Sequence, residues 1–385
     1  MRTPNRWVML SLGMAAQGAG CVFMYGLPFL LPAFQAERAL TLAQAGILVG
    51  TPSAGMLATL IAWGWVADRY GERLAMTAGL VLAAGFLGAA AFTGDTVLLG
   101  VLIALAGASG ASANAASGRV VLGWFPRDRR GVAMGWRQTA QPLGVAVAGA
   151  LIPQFATVRG ALLAMAVICL VTAVAVGALV ADPPRPAARP GARTASPYGN
   201  PALWRVHGAS MLLVVPQFAT AGFALTYLVT LRDWDVAHAG ALIAVAQLAG
   251  AAGRLACGAW SDAVGSRLRP MRQLALVNGA VVLLLAAAVP TAAGVPLVIA
   301  ALVVSMSGNG LAFTAVSELA GTSWAGRALG AQNTAQNLVA AATPGAIGAL
   351  IATSGFGIAF ALAGTLALAA AVATPAGPSP APARA

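Results

Sequence analysis

Apolar residues fill this chain in long stretches, each closed by a short polar or charged turn. Stretches of about twenty residues are the length of a helix that crosses the hydrocarbon of a bilayer, whereas spanning strands show about ten residues of alternation. The pattern predicts a first span that begins after Arg6 and continues through Phe34. Five more follow at Ala43 to Ala67, Leu74 to Phe92, Val97 to Trp124, Val132 to Pro153 and Gly160 to Val180. Asp182 to Pro201 then carries six prolines with Arg185, Arg189 and Arg193, which no helix tolerates, so it is expected to be an extended, solvated linker. Beyond it the pattern resumes at Trp204 to Leu231, Ala239 to Trp260, Gln273 to Thr291, Gly294 to Gly321, Gly326 to Thr353 and Phe356 to Ala373. The expected architecture is an all-α integral membrane protein of twelve transmembrane helices. Its divisions are a first six-helix bundle at 1–181, a linker at 182–203, a second bundle at 204–373 and a disordered tail at 374–385.

The polar turns repeat. Gly64 to Arg73 reads GWVADRYGER and Gly258 to Arg267 reads GAWSDAVGSR, so Asp68, Gly71 and Arg73 recur 194 positions later as Asp262, Gly265 and Arg267. GWRQTAQ at Gly135 to Gln141 recurs as GAQNTAQ at Gly330 to Gln336, and Ser112 and Asn114 recur as Ser307 and Asn309. Agreement at three places with nearly one offset indicates duplication of a six-helix unit. Transporters use such repeats to build a binding site near the bilayer midplane.

Composition changes the picture only by exclusion. Hydrophobic residues make up 59% of the 385 residues, charged residues 8%, and the mean hydropathy is +0.83, against about 25% charged in a soluble domain. The net charge of +12 does not point to nucleic acid, because all 22 basic residues are arginines scattered between apolar runs rather than gathered on a soluble face. The first apolar run exceeds the roughly 7 to 15 residues of a signal-peptide core, so a retained span is expected. Cys21, Cys169 and Cys257 all lie in apolar runs and imply no disulfide framework, and His207 and His238 at span ends form no metal pair. No cofactor, metal or catalytic constellation is expected, and hence no enzyme.

Sixteen arginines fall at the N-terminus, in the linker, at the tail and in the loops on their side; only Arg38, Arg159 and Arg232 fall on the other. The positive-inside rule then places both termini in the cytoplasm, in an inner membrane. With these hairpins the chain resembles the major facilitator superfamily. The loop pattern G-x-x-x-D-R-x-G-x-R between the second and third spans is met by Gly64, Asp68, Arg69, Gly71 and Arg73, and Asp262, Gly265 and Arg267 echo it between the eighth and ninth. The resemblance implies a secondary transporter working by alternating access. It also implies that Asp68 faces the N-terminus of the eleventh span, and by pseudo-symmetry Asp262 that of the fifth, as conformational latches. The N-terminus of a helix attracts a carboxylate.

Polar side chains inside spans turn toward a bundle interior or a water-filled cavity. The third, sixth, ninth and twelfth spans have almost none and are expected to face lipid, with Thr77, Thr172, Asn278 and Thr365 as exceptions. Gln138, Gln141, Gln332 and Gln336 place the fifth and eleventh spans beside a pathway, with Asn309 on the tenth. Three arginines lie within spans: Arg119 and Arg137 about 7 to 10 Å, and Arg254 about 12 Å, from the arginine-rich end, with Gln247 on the face of Arg254. Of the ten acidic residues only Glu318 is expected to reach a span interior, so these permanent charges call for an anion from outside the chain. A guanidinium pairs with a carboxylate through two parallel hydrogen bonds. A small organic anion, a carboxylate foremost, is therefore the expected substrate, held between Arg254 and Arg119 or Arg137. Arg254 with Gly258 and Asp262 also resembles the helix-8 arginine pattern of monocarboxylate and oxalate carriers, and WFPRDRRG with GWRQT resembles bacterial permeases. The expected partners are that solute, a coupling ion (a proton or a counter-anion) and the lipid bilayer; a monomer is expected. An exporter of neutral or amphipathic compounds is the alternative within the class, although Gln141 stands before Pro142 where the efflux motif has glycine. A non-transporting membrane sensor or scaffold is the alternative outside it.

Overall fold

The computed structural model describes residues 5–183 and 195–376, apart from the side chains of Leu42 and Ala43. The proline-arginine core of the expected linker and the end of the expected tail lie outside the described residues. All regular elements among those described are helical.

Local chemistry sets the helix starts. Asn5 caps α1 (Arg6–Gly26), Thr41 and Gln44 form a capping box on α3 (Leu42–Tyr70), and Asp95 caps α5 (Thr96–Trp124). Thr157, Asn200 and Asp235 do the same for α8 (Val158–Leu179), α9 (Pro201–Arg232) and α10 (Val236–Val264). Each side-chain oxygen accepts an N–H that the first helical turn leaves unsatisfied, which matters most where lipid replaces water. Two spans run directly into helices across glycine: Gly71, at φ 108°, separates α3 from α4 (Glu72–Ala90), and Gly265, at φ 66°, ends α10 before α11 (Leu268–Ala288).

Several spans are interrupted. The first continues past Gly26 through a 3-10 turn at Leu27–Leu30 into α2 (Leu31–Arg38), where Pro28 and Pro32 remove backbone donors. The fifth begins at Arg130, two residues before the expected start, and breaks at Thr139 into α6 (Arg130–Gln138) and α7 (Ala140–Leu151). Pro142 explains that break, since it lacks the N–H that would reach the Gln138 carbonyl. The tenth divides at Gly308 into α12 (Gly294–Ser307) and α13 (Asn309–Ala320). The eleventh and twelfth form one run, α14 (Ala325–Ala373), folded back at Gly355 with φ 83°. Among the described residues ten helical runs are long and apolar enough to cross a membrane; counting α14 as two and the α6–α7 pair as one gives twelve spans.

By contacts the chain parts into two compact units. The first comprises Met1–Phe125, Arg137–Thr194 and Thr322–Thr334; the second comprises Pro126–Trp136, Ala195–Gly321 and Ala335–Ala385. Each thus takes in a short piece from the other half of the sequence. In the first unit α5 is the central helix, packed by α1, α3 and α4, with α8 against α4. In the second, α12 is packed by α9, α10 and α11. Of the polar exceptions in the quiet spans, Thr172 and Thr365 bond back to carbonyls of their own helices, and Asn278 accepts from Ser305 at 2.8 Å inside the second unit.

Opposite the charged hairpins, arginines fasten helix ends within each unit. Arg38 donates to the carbonyls of Thr93 and Gly94, and Arg232 to those of Pro290 and Thr291. Glu37 accepts from the N–H of Val158 at the start of α8 at 2.9 Å.

Small residues permit the tightest crossing, α3 on α5: a Cβ at Gly55 would stand 1.9 Å from the Ala104 carbonyl oxygen, and one at Gly107 2.1 Å from that of Pro52. Gly55→Ala and Gly107→Ala should each cost about 1–3 kcal/mol by overpacking, read as lowered thermal unfolding of detergent-purified protein. Gly85→Ala, on α4 with nothing within 4 Å of the new methyl, should leave that midpoint unchanged or raise it.

Candidate functional site

The first hairpin draws three elements of the first unit onto one carboxylate. Asp68 sits in the last turn of α3, where its Oδ1 accepts from the N–H of Gly326 at 2.8 Å and its Oδ2 from the N–H of Arg327 at 3.0 Å. These are N–H groups of the first turn of α14, which have no partner within their own helix. The Arg327 guanidinium also donates through Nε to Oδ2 at 2.9 Å and lies 3.6 Å over the Trp324 ring. Arg119 completes the cluster from α5, pairing with Asp68 Oδ1 and donating through Nε to Glu72 Oε1 at 2.7 Å. Gly71 is required beside them, because a Cβ there would meet the Asp182 carboxylate at 2.2 Å, and that carboxylate accepts from the N–H of Arg73 at 2.9 Å. Arg69 lies exposed on the last turn of α3.

This geometry corrects the sequence reading of Arg119. It was expected to lack a carboxylate and to await a substrate; it is committed to Asp68 and Glu72. The reason is that Glu72, the first residue of α4, turns inward to 1% exposure at the level of Arg119. Two buried acids and two arginines therefore share the site, and removing one member of such a group costs about 3–5 kcal/mol.

The second hairpin builds the same backbone contact from different side chains, within the second unit. Asp262 accepts from the N–H groups of Gly131 and Val132, both at 2.9 Å, at the start of α6. Its cation is Arg267 of the same hairpin, whose Nη1 donates to Asp262 Oδ1 and to Ser261 Oγ, each at 2.6 Å. Arg267 further reaches Glu318 Oε1 at 3.3 Å and the carbonyl of Arg127. Glu318 also faces Arg130 at 3.7 Å and Arg127 at 3.8 Å, so the acid expected to reach a span interior is held at the helix end instead. The position matching Arg119 is Thr314, which bonds to its own helix.

Reciprocal glycines make both contacts possible. A Cβ at Gly64 would stand 2.2 Å from the Gly326 carbonyl oxygen, and one at Gly326 2.3 Å from that of Gly64. Gly258 and Gly131 exclude each other's Cβ at 2.3 Å in the same way. Gly131 and Gly326 were not singled out from the sequence, although each lies at the start of a duplicated span.

The other two intramembrane arginines each donate to neutral oxygens. In the first unit Arg137, 1% exposed, donates to Ser117 Oγ at 2.9 Å, Gln138 Oε1 at 2.8 Å and the Asn114 carbonyl at 2.8 Å. Ser117 in turn donates to Gln17 Oε1 at 3.2 Å. Two residues beyond the break at Thr139, Gln141 donates to the Tyr25 hydroxyl at 2.8 Å. In the second unit Arg254, 5% exposed, donates through Nε to the Met306 carbonyl at 3.0 Å. That carbonyl belongs to the last turn of α12, which the break at Gly308 deprives of helical donors, and a cation suits a helix C-terminus. Just past the break, Asn309 borders a small cavity with Ser210, Leu274, Asn278 and Ser305. Gln336 donates to Ser210, and Gln247 is half-buried two turns before Arg254. Gln332 is fully buried in the first unit. Gln17, Tyr25, Ser117 and Ser210 join these networks without having been expected to. Polar positions in apolar runs were their only signal. Among the described residues no three His, Cys, Asp or Glu side chains converge as metal ligands.

Comparison with known proteins follows the same lines. The family model described as Major Facilitator Superfamily matches residues 8–344. An uncharacterised MFS-type transporter of Mycobacterium tuberculosis strain H37Rv is 43% identical over 372 residues, covering 95% of this chain and 84% of the relative. Among solved structures, FucP in the outward conformation aligns with a TM-score of 0.75 at 15% identity, covering 95% of this chain and 97% of its own. The human organic anion transporter MFSD10 aligns with a TM-score of 0.75 at 14% identity, covering 97% and 100%. Twelve spans, duplicated hairpins and a family match along most of the chain lead to one conclusion: the protein belongs to the major facilitator superfamily and is a multi-pass membrane transporter.

Proposed function

We propose that this transporter moves a small organic anion, a carboxylate foremost, by alternating access across the cytoplasmic membrane, with both termini cytoplasmic. The observation that carries the substrate class is Arg254: a guanidinium that is always charged, 5% exposed within a span, and held in orientation by a backbone carbonyl. A buried guanidinium attracts an arriving carboxylate electrostatically and can pair with it through two hydrogen bonds, which a neutral or cationic solute does not offer. Arg137 is the second candidate cation, with Gln138 and Gln141 beside it and Gln247, Asn309, Gln332 and Gln336 as neutral hydrogen-bonding groups. Arg119 leaves the proposed substrate set, since it serves the first hairpin. The shared fold does not by itself select a substrate, because a proton:xylose symporter aligns too, at a TM-score of 0.69 and 16% identity.

The two carboxylate contacts supply the conformational latches. Each joins a hairpin of one sequence half to a helix N-terminus contributed by the other half, and a carboxylate so placed gains about 0.3–1 kcal/mol, rising to about 2 when partly buried. The backbone contact between the halves is small enough to be broken in each transport cycle, while the Asp68–Arg119–Glu72 pairing lies within one half and can persist through it. The backbone contact is also specific enough, through its glycines, to re-form in one register. The two sequence halves, 1–181 and 204–373, are the proposed moving bodies.

Two outcomes test these readings. In a thermal-shift screen of purified protein, a carboxylate present at a hundred times its Kd should stabilise the fold by about 2.7 kcal/mol, and Arg254→Gln should abolish that shift; stabilisation by neutral amphipaths alone would overturn the anion assignment. Asp68→Asn, compared with the wild type at equal amounts of folded, reconstituted protein, should lose uptake of the selected carboxylate into proteoliposomes, and undiminished uptake would remove the latch.

A further inference from the structure

Six arginines gather at one end of the second unit: Arg127, Arg129 and Arg130 at the entry to α6, and Arg267, Arg269 and Arg272 at the entry to α11. The acids of these segments are Asp128, Asp262 and Glu318. Arg267 is consumed by Asp262 and Glu318, and Arg127 and Arg130 face Glu318. Arg129, Arg269 and Arg272 are exposed, and their guanidinium groups meet no acceptor among the described residues. The two runs are neighbours, because the Arg127 carbonyl accepts directly from Arg267. Arg129 and Arg269 each lie two residues from that contact.

The shaft below these charges is apolar and open. Arg269, Arg272, Gln273, Leu276, Val277, Ala280 and Leu284 form one exposed stripe of α11 at helical spacing, while Met271, Ala275, Asn278 and Val282 on the other face are buried. From Arg272 to Leu284 the stripe descends about 18 Å, close to the roughly 15 Å hydrocarbon depth of one leaflet. Trp260, 37% exposed on α10, adds an aromatic of the kind that settles at headgroup level. An arginine that served only to orient the chain would need no such alignment; it would need only water. The start of α4, which matches α11 by repeat, carries the single exposed Arg73 beside Asp182.

We propose that this face binds an anionic phospholipid, its phosphate held by Arg129, Arg269 and Arg272 and its acyl chain laid along Leu276, Val277 and Leu284. Charge complementarity selects an anionic headgroup, and the continuous apolar stripe selects a lipid over a free anion. A headgroup that grips both arginine runs also strengthens the Asp262 contact with Gly131 and Val132, because Arg129 and Arg269 flank it. The bound lipid thereby favours the state in which the second hairpin is latched. This inference stands apart from the identity of the transported solute.

The test uses the full chain in detergent, titrated with phosphatidylglycerol, phosphatidylcholine or sodium phosphate, with thermal unfolding and native mass spectrometry as readouts. Phosphatidylglycerol should raise the midpoint and remain bound to the wild type and to Arg159→Gln, whose arginine stacks on Phe92 elsewhere in the chain. The combined variant Arg129→Gln, Arg269→Gln, Arg272→Gln should bind it at least tenfold more weakly. A photoactivatable phosphatidylglycerol should label residues 268–284 of the wild type. An equal shift with phosphatidylcholine or inorganic phosphate, an undiminished shift in the triple variant, or labelling confined to other helices would each overturn the proposal.

Discussion

A carboxylate withdrawn from water must be matched atom by atom, and in this protein Asp68 and Asp262 are each matched by two orphan N–H groups of a helix that begins beside them, together with arginine. That pairing dictates much of what surrounds it. Glycine must stand where the helices cross, since any Cβ at Gly64, Gly326, Gly131 or Gly258 would hold the backbones too far apart for the N–H groups to reach. A positive φ must end the hairpin, since Gly71 and Gly265 turn the chain with no room or no allowance for a side chain. Arginines must follow, because the helix dipole offsets only part of a full negative charge.

The two hairpins show how duplication preserves a backbone contact while its side chains diverge. Asp68 draws cations from α5 and α14, whereas Asp262 draws one from its own hairpin and shares it with Glu318. The first arrangement ties Asp68 to three helices and buries Glu72; the second leaves spare arginines at the surface of the second unit. Equivalent positions in the repeat therefore carry unequal electrostatic duties. The N–H acceptor role, the facing glycines and an arginine partner are common to both; where that arginine comes from is not.

Helix interruptions govern the second set of charges. Pro142 opens the fifth span just after Gln138, and Gly308 opens the tenth just after the turn that holds Met306. Each break lies within a few residues of an intramembrane arginine or of the carbonyl it engages. Arg254 takes its anchor from a broken helix end, through the Met306 carbonyl.

The sequence by itself determined the spans, the duplication, the two hairpins and the burial of Arg137 and Arg254, because hydrophobic run length and internal repetition are one-dimensional properties. Helix ends were legible to within a few residues wherever Asn, Asp or Thr marked them. The partners of the charges were not. Glu72 was one unremarked letter inside the first hairpin, and nothing local says that its side chain turns inward to meet Arg119, 47 residues away. The break at Thr139 had its signal in Pro142, which the sequence reading used only to weigh an efflux motif. Which glycines oppose one another, and which arginine caps a broken helix, depends on how helices cross. Crossing is settled by packing between residues far apart in the chain, and so only the tertiary structure decided which carboxylates and carbonyls each arginine engages.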